Sequence, residues 1–364
     1  VSEGRAPLPP RPQRGRGAVS NREGRFARQR HEPLDSDWSD PAGEVPESSP
    51  RTTVAEDRSR RVITYNRSPD IGFDRSLNPY RGCEHGCIYC YARPSHSYLD
   101  LSPGLDFETR LFQKPDAPEQ LARELRAEGY RPAPIALGVN TDAWQPVEKR
   151  LRLTRRILEV LLAFRHPVRV ISKSVLIERD LDLLAALAEQ GLVTADVSVT
   201  TLDDELNRRL EPRAAGGRRR LAMIRRLAAA GVPTSVLMAP VIPALNDHEI
   251  ECVLEAGAEA GAAAASYVIL RLPHEVAPLF EEWLETHYPQ RAAHVLSLVS
   301  QLHGGRTYRA EFGSRMRGSG ELATLIAQRF NVARRRHGLA ESLPQPRCDA
   351  FQPPPAAGDQ LGLF

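Results

Sequence analysis

Three cysteines fall within eight residues, Cys83-Glu84-His85-Gly86-Cys87-Ile88-Tyr89-Cys90, in a chain of 364 residues with two other cysteines, Cys252 and Cys348. Such crowding points to metal chemistry, because thiolates are soft ligands suited to zinc or to an iron–sulfur cluster. A structural zinc site takes four ligands, commonly as two separated pairs. No second pair follows here, which leaves His85 as the neighbouring candidate for a fourth ligand. On a cubane of four irons, three thiolates leave one iron open, the arrangement a catalytic cluster needs. Cys252 lies in a helical stretch and is expected as a small buried thiol. Cys348 lies in a Pro-rich tail, as a bystander. Five cysteines in so long a chain are no disulfide framework of the small secreted kind.

A scaffold must position these groups, and between residues 68 and 305 the pattern is regular. Short β-branched or apolar runs at 135–140, 168–172, 193–200, 234–241 and 266–270 alternate with longer amphipathic stretches. Leu153, Ile157, Leu161 and Phe164 recur at helical spacing, as do Leu181, Leu184 and Leu187, then Leu221, Ile224 and Leu227. Gly191 and Gly231 follow where a left-handed cap is expected. Strand to strand takes about 30 residues, the size of a βα unit, and strands that alternate with helices form a parallel sheet. With a further strand near residues 75–80, six βα units fit, too few for a closed eight-stranded barrel. The class is α/β, and the periodicity leaves an open barrel and a doubly wound sheet as candidates. Both place their chemistry at the carboxyl ends of the strands. The cysteine loop follows the first of these strands.

Composition narrows the classes. Hydrophobic residues are 41% and charged residues 26%, with a net charge of +3. The basic residues are nearly all arginine, so any functional ammonium is Lys114, Lys149 or Lys173. No apolar run approaches the ~20 residues that cross a bilayer, and Val1 to Pro10 has no signal-peptide core. A cytoplasmic protein with reduced thiols is expected. Residues 1–60 hold eight arginines between Arg5 and Arg30, then an acidic stretch, with almost no large apolar residue. They are expected to be disordered. A helical extension is expected over 306–340, and a disordered Pro-rich tail over 341–364.

The spacing C-x3-C-x-aromatic-C, on the loop after the first strand of a βα array, resembles the radical S-adenosylmethionine (SAM) superfamily. Between about Ser68 and His303, the stretches SLNPYRGCEHGCIYCYARPSH, GVNTDAWQPVE, VISKS, DVSVTTLDDELNRRLEP and MAPVIPALND resemble its spore photoproduct lyase-like branch, most closely uncharacterised bacterial members. The resemblance implies a partial (β/α)6 barrel of TIM type. It implies a 4Fe-4S cluster on Cys83, Cys87 and Cys90, and SAM cleaved on it to a 5′-deoxyadenosyl radical that takes hydrogen from a substrate. It further implies Tyr89 against the adenine, Lys173 at the SAM carboxylate, hydroxyls of Thr141 and Ser198 touching SAM, and an electron donor such as flavodoxin or ferredoxin. One departure stands out. Spore photoproduct lyases carry a hydrogen-returning cysteine near the end of the second strand, where this chain has Gly138-Val139-Asn140-Thr141-Asp142. Repair of the thymine dimer itself is therefore in doubt.

Asn140, Asp142, Trp144 and Glu148 either line the substrate side or serve as loop hydrogen bonds and a helix cap. Asp247 is expected to cap the helix after the fifth strand. Arginines cluster at 150–156, 208–226 and 334–336, and a basic stripe beside a barrel mouth would hold the phosphates of DNA or RNA. Gln360, Leu361, Leu363 and Phe364 end the chain in a peptide that resembles the one by which bacterial repair proteins hold the sliding clamp. The alternative to an enzyme is a non-catalytic metal-binding adaptor in a DNA repair complex, with zinc on the three cysteines and His85.

Overall fold

The computed structural model of the chain describes residues 12–27 and 51–355. Its strands begin with β1 (Thr53–Glu56), β2 (Ile63–Tyr65), β3 (Arg75–Leu77), β4 (Tyr80–Arg81) and β5 (Arg110–Gln113). They continue as β6 (Ile135–Leu137), β7 (Val168–Ser172), β8 (Val193–Ser198), β9 (Thr234–Val241) and β10 (Ala264–Ile269). The larger sheet has the order β10-β9-β8-β7-β6-β3-β2. From β3 to β10 neighbours run parallel, and β2 adds antiparallel at the edge. Sequence order is kept across this sheet without the reversal that a doubly wound sheet requires. Of the two candidates, the open six-unit barrel is the one formed.

Helices follow the strands where the periodicity places them. Leu153–Ala163 buries Leu153, Ile157, Leu158 and Leu161 against the sheet, and Gly191 and Gly231 take φ of 68° and 78° as left-handed caps. The last helix, Gly320–Arg336, packs on helix Ile250–Glu259. Phe330 meets Tyr267 of β10 at 4.6 Å between ring centres, and Ala340 bridges to Ala264. This covers an edge strand that would otherwise offer open backbone groups. No helix among the described residues is long and apolar enough to cross a membrane.

The tails depart from expectation. Residues 12–27 and 51–60 fall in the stretch expected to be disordered, yet Ala18 and Val19 are buried and β1 pairs with β5. Small residues and guanidinium groups replace the missing apolar bulk: Arg22 pairs with Glu282 at 2.6 Å, and buried Arg16 donates to the Glu108 carbonyl at 3.0 Å. At the other end, Phe351 packs edge-on against His166, and the amides of Arg347 and Gln352 donate to Gly191 and Phe164. Residues 341–355 are thus docked beneath the barrel rather than free. One aromatic, the two backbone bonds, buried Leu343 and a bond from Arg126 to the Pro354 carbonyl hold them, a signal that composition averages away. The rest of the expected tails, 1–11, 28–50 and 356–364, including the clamp-like peptide, lies outside the described residues.

Candidate metal and cofactor site

The cysteine loop leaves β4 and is held by backbone bonds from several elements. The Cys83 amide donates to Phe107 at 2.9 Å, the Glu84 amide to the Gln145 side chain at 2.8 Å, and the Ile88 amide to Leu210 at 3.0 Å. Beneath the loop lies Arg93, wholly buried, which donates to the carbonyls of Gly86 and Cys87 and pairs with Glu108 at 2.5 Å. Glu108 also accepts the amides of Gly17 and Ala18 at 3.0 and 2.9 Å. The N-terminal segment is therefore a strap across the back of the loop. A Cβ at Gly17 would stand 1.8 Å from the Gly86 carbonyl, so only glycine fits this approach. Gly17→Val should release the strap, because bonds to a charged acceptor worth about 1.5–3 kcal/mol each would be lost. Limited trypsin digestion should then cut at Arg22 or Arg25 in the variant first; equal resistance in both chains would contradict the strap.

All three thiols line one cavity of about 300 Å³ at the carboxyl ends of the barrel strands. The sequence-predicted residues Tyr89, Thr141, Lys173 and Ser198 line it too. Tyr89 and Thr141 reach it from loops, while at the ends of β7 and β9 Ile171 with Lys173 and Leu237 with Ala239 lie two apart and face inward together. One layer deeper, Arg169 pairs with Asp196 at 2.5 Å, and Ser235 bonds the same carboxylate.

Beside Cys87 stands a buried charge network. Lys173 Nζ lies 3.4 Å from Cys87 Sγ, 2.8 Å from the Tyr89 hydroxyl and 2.8 Å from Glu211. Glu211 and Arg220 are fully buried and paired, and Glu211 also accepts from the hydroxyls of Tyr89 and Thr200. Burial alone would raise the Glu211 carboxyl, but Arg220 and Lys173 outweigh it and hold it well below the usual carboxylate range. Burial likewise opposes charge on Lys173, and the Glu211 carboxylate 2.8 Å away offsets it. Glu211, Arg220, Arg93 and Glu108 were not singled out from the sequence. Their partners are distant in the chain, so no local spacing marks them.

Burial pushes the Cys83 thiol well up and the Cys87 thiol up to about 12. They become thiolates only when a metal displaces their protons. Among the described residues no three His, Cys, Asp or Glu side chains converge as a single metal ion requires. Three thiols lining one cavity suit a group with several metal atoms, each taking one thiolate. His85 is buried, its imidazole held down to about 4 by desolvation and so neutral, with Nδ1 3.4 Å from Asp142.

The acidic loop residues divide. Asn140 and Asp142 line the cavity, but the Asp142 carboxylate is occupied by Ser172 Oγ and the amides of Lys173 and Trp144. Glu148 lies behind the wall, accepting the amides of Leu153 and Thr154 as a helix cap, and Trp144 is wholly buried with its Nε1 on Asp180. Both belong to loop architecture rather than to the substrate side. The Asp247 side chain accepts the Ala244 amide and closes a turn instead of capping a helix. Cys252 is exposed, not buried: its helix turns Val253 and Leu254 inward instead.

Comparison with known proteins places this geometry. Residues 77–256 match the model of the radical SAM superfamily. An uncharacterised protein of Mycobacterium tuberculosis is 38% identical over 222 residues, covering 60% of this chain and 65% of that protein, so the chain spans about 65% of that relative's length. An uncharacterised protein of Methanocaldococcus jannaschii is 25% identical over 233 residues, covering 64% and 83%. The fold is similar to spore photoproduct lyase complexed with dinucleoside spore photoproduct, with a TM-score of 0.57 at 16% identity over 79% of this chain and 80% of that one. A form of that lyase with bound AdoMet gives a TM-score of 0.54, also at 16% identity, with the same coverage.

Proposed function

Because residues 77–256 are a domain of the radical SAM superfamily, we propose that Cys83, Cys87 and Cys90 hold its 4Fe-4S cluster and that the cavity beside them takes SAM. When bound, the cluster supplies the electron that splits SAM into a 5′-deoxyadenosyl radical able to take hydrogen from a substrate. The observation that carries the assignment is the meeting of three thiols, the Lys173 ammonium and the hydroxyls of Thr141 and Ser198 in one cavity at the strand ends.

The residues around the cavity have distinct tasks. Lys173, Arg220 and Glu211 together leave one positive charge beside Cys87, which favours an anion there, such as the SAM carboxylate. Thr141 and Ser198 donate their hydroxyl protons to the carbonyls of Tyr80 and Ala239, so their oxygens are left as acceptors for an ammonium. Tyr89 is tied by its hydroxyl to Lys173 and Glu211, which fixes its ring against the cavity. Lys173→Ala should weaken SAM binding ten- to hundredfold, the loss of one charge-assisted contact of about 1.5–3 kcal/mol, with iron content near the parent's. Equal SAM affinity by calorimetry would make Lys173 structural only.

For the substrate, we favour DNA or RNA, with the dinucleoside bound by the structurally similar lyase as support. The arginine clusters add less than their number suggests, since Arg155, Arg156, Arg209 and Arg226 are paired with carboxylates. The sliding clamp, through residues 360–364, and a flavodoxin or ferredoxin are the proposed partners. Deuterium passing between labelled SAM and an oligonucleotide tests the substrate; its absence from both DNA and RNA would remove nucleic acid.

A further inference from the structure

Four charged or ionisable side chains other than the thiols and phenols line the cavity: His85, Asp142, Lys173 and Arg271. His85 faces the Asp142 carboxylate at 3.4 Å, Asp142 is occupied by three donors, and Lys173 is paired with Glu211. Arg271 differs. Among the described residues its guanidinium makes no hydrogen bond or ion pair; it lies over the Tyr91 ring, 4.7 Å from the ring centre. Asp70, the carboxylate whose field reaches it, is taken by Nε and Nη2 of Arg315, each at 2.6 Å.

The backbone that carries Arg271 is fixed. It follows β10 between buried Leu270 and Leu272; the Leu270 amide donates to Val241 at 3.0 Å, and His303 Nε2 meets the Leu270 carbonyl at 2.8 Å. Tyr91 is fixed as well, its hydroxyl donating to the Val139 carbonyl at the end of β6. Stacking on the ring covers one face of the guanidinium and leaves its edge, the fork of N–H donors, unused. That fork matches a phosphate or carboxylate through two parallel bonds. Burial also lowers the pKa of Arg271, and a half-buried cation without a partner gains from a ligand that supplies the charge.

We propose that Arg271, held over Tyr91, is the substrate-side subsite of this cavity and binds an oxyanion of the substrate, a phosphate group. Only the word substrate rests on the radical SAM reading; anion binding by Arg271 does not. The test uses the full chain, reconstituted anaerobically in phosphate-free buffer, with inorganic phosphate as probe followed by 31P line broadening, and SAM affinity measured separately. Phosphate should bind the parent, bind Arg271→Gln at least tenfold more weakly, and bind Arg271→Lys in between, with SAM affinity the same in all three. Equal phosphate binding by parent and Arg271→Gln, or none by the parent, would overturn the subsite. A tenfold loss of SAM affinity in Arg271→Gln would assign the group to the SAM carboxylate and overturn the substrate role. Failure of the parent to release 5′-deoxyadenosine would count against the radical reading alone and leave the phosphate result standing.

Discussion

Cys87→Ala chains, supplied anaerobically with iron and sulfide, should retain roughly a tenth or less of the parent's iron, because a cubane with two protein thiolates loses its anchoring. The three thiols of the loop are those that line the cavity, and Cys87 is the one in contact with Lys173. Cys252 is exposed on its helix and Cys348 sits half-buried on the docked tail, so alanine at either should leave iron content unchanged. Parent-level iron in the Cys87 variant would sink the cluster assignment.

Glu211→Gln should be the most destabilising single change near the site. It leaves Lys173 and Arg220 buried side by side without their counter-charge, a loss of about 3–5 kcal/mol for breaking a buried ion pair. Urea unfolding should show a matching fall in midpoint, and an unchanged midpoint would contradict the network. The pH dependence has a definite sign. Folding holds the Glu211 carboxyl below its ordinary value of 4.5, so its contribution is full above that pH and is lost as pH falls further. The parent should therefore lose stability on acidification below about 4.5 more steeply than Glu211→Gln, which has no carboxyl to protonate.

The strands and helices of the barrel are legible in the sequence because both are periodic: β7 and β9 begin and end where the apolar runs do. The cysteine loop is legible because all its ligands are local. Periodicity alone leaves the barrel and the doubly wound sheet equal, since strand order is a matter of which edges meet. The same limit hides Glu211, whose helix-end position in RRLEP says nothing of Arg220 or Lys173 until the strands bring them together. It also hides the strap, where Gly17 matters only because Gly86 lies against it. Arg271 reads in sequence as the residue that ends an apolar run, and its place over Tyr91 is a product of the fold.

The central claim is that this cavity is a radical SAM centre, and its most direct measurement is anaerobic reconstitution of the parent chain followed by reduction with SAM present. About four irons per chain and release of 5′-deoxyadenosine are the predicted result. One zinc per chain, with SAM left intact under reduction, would contradict it.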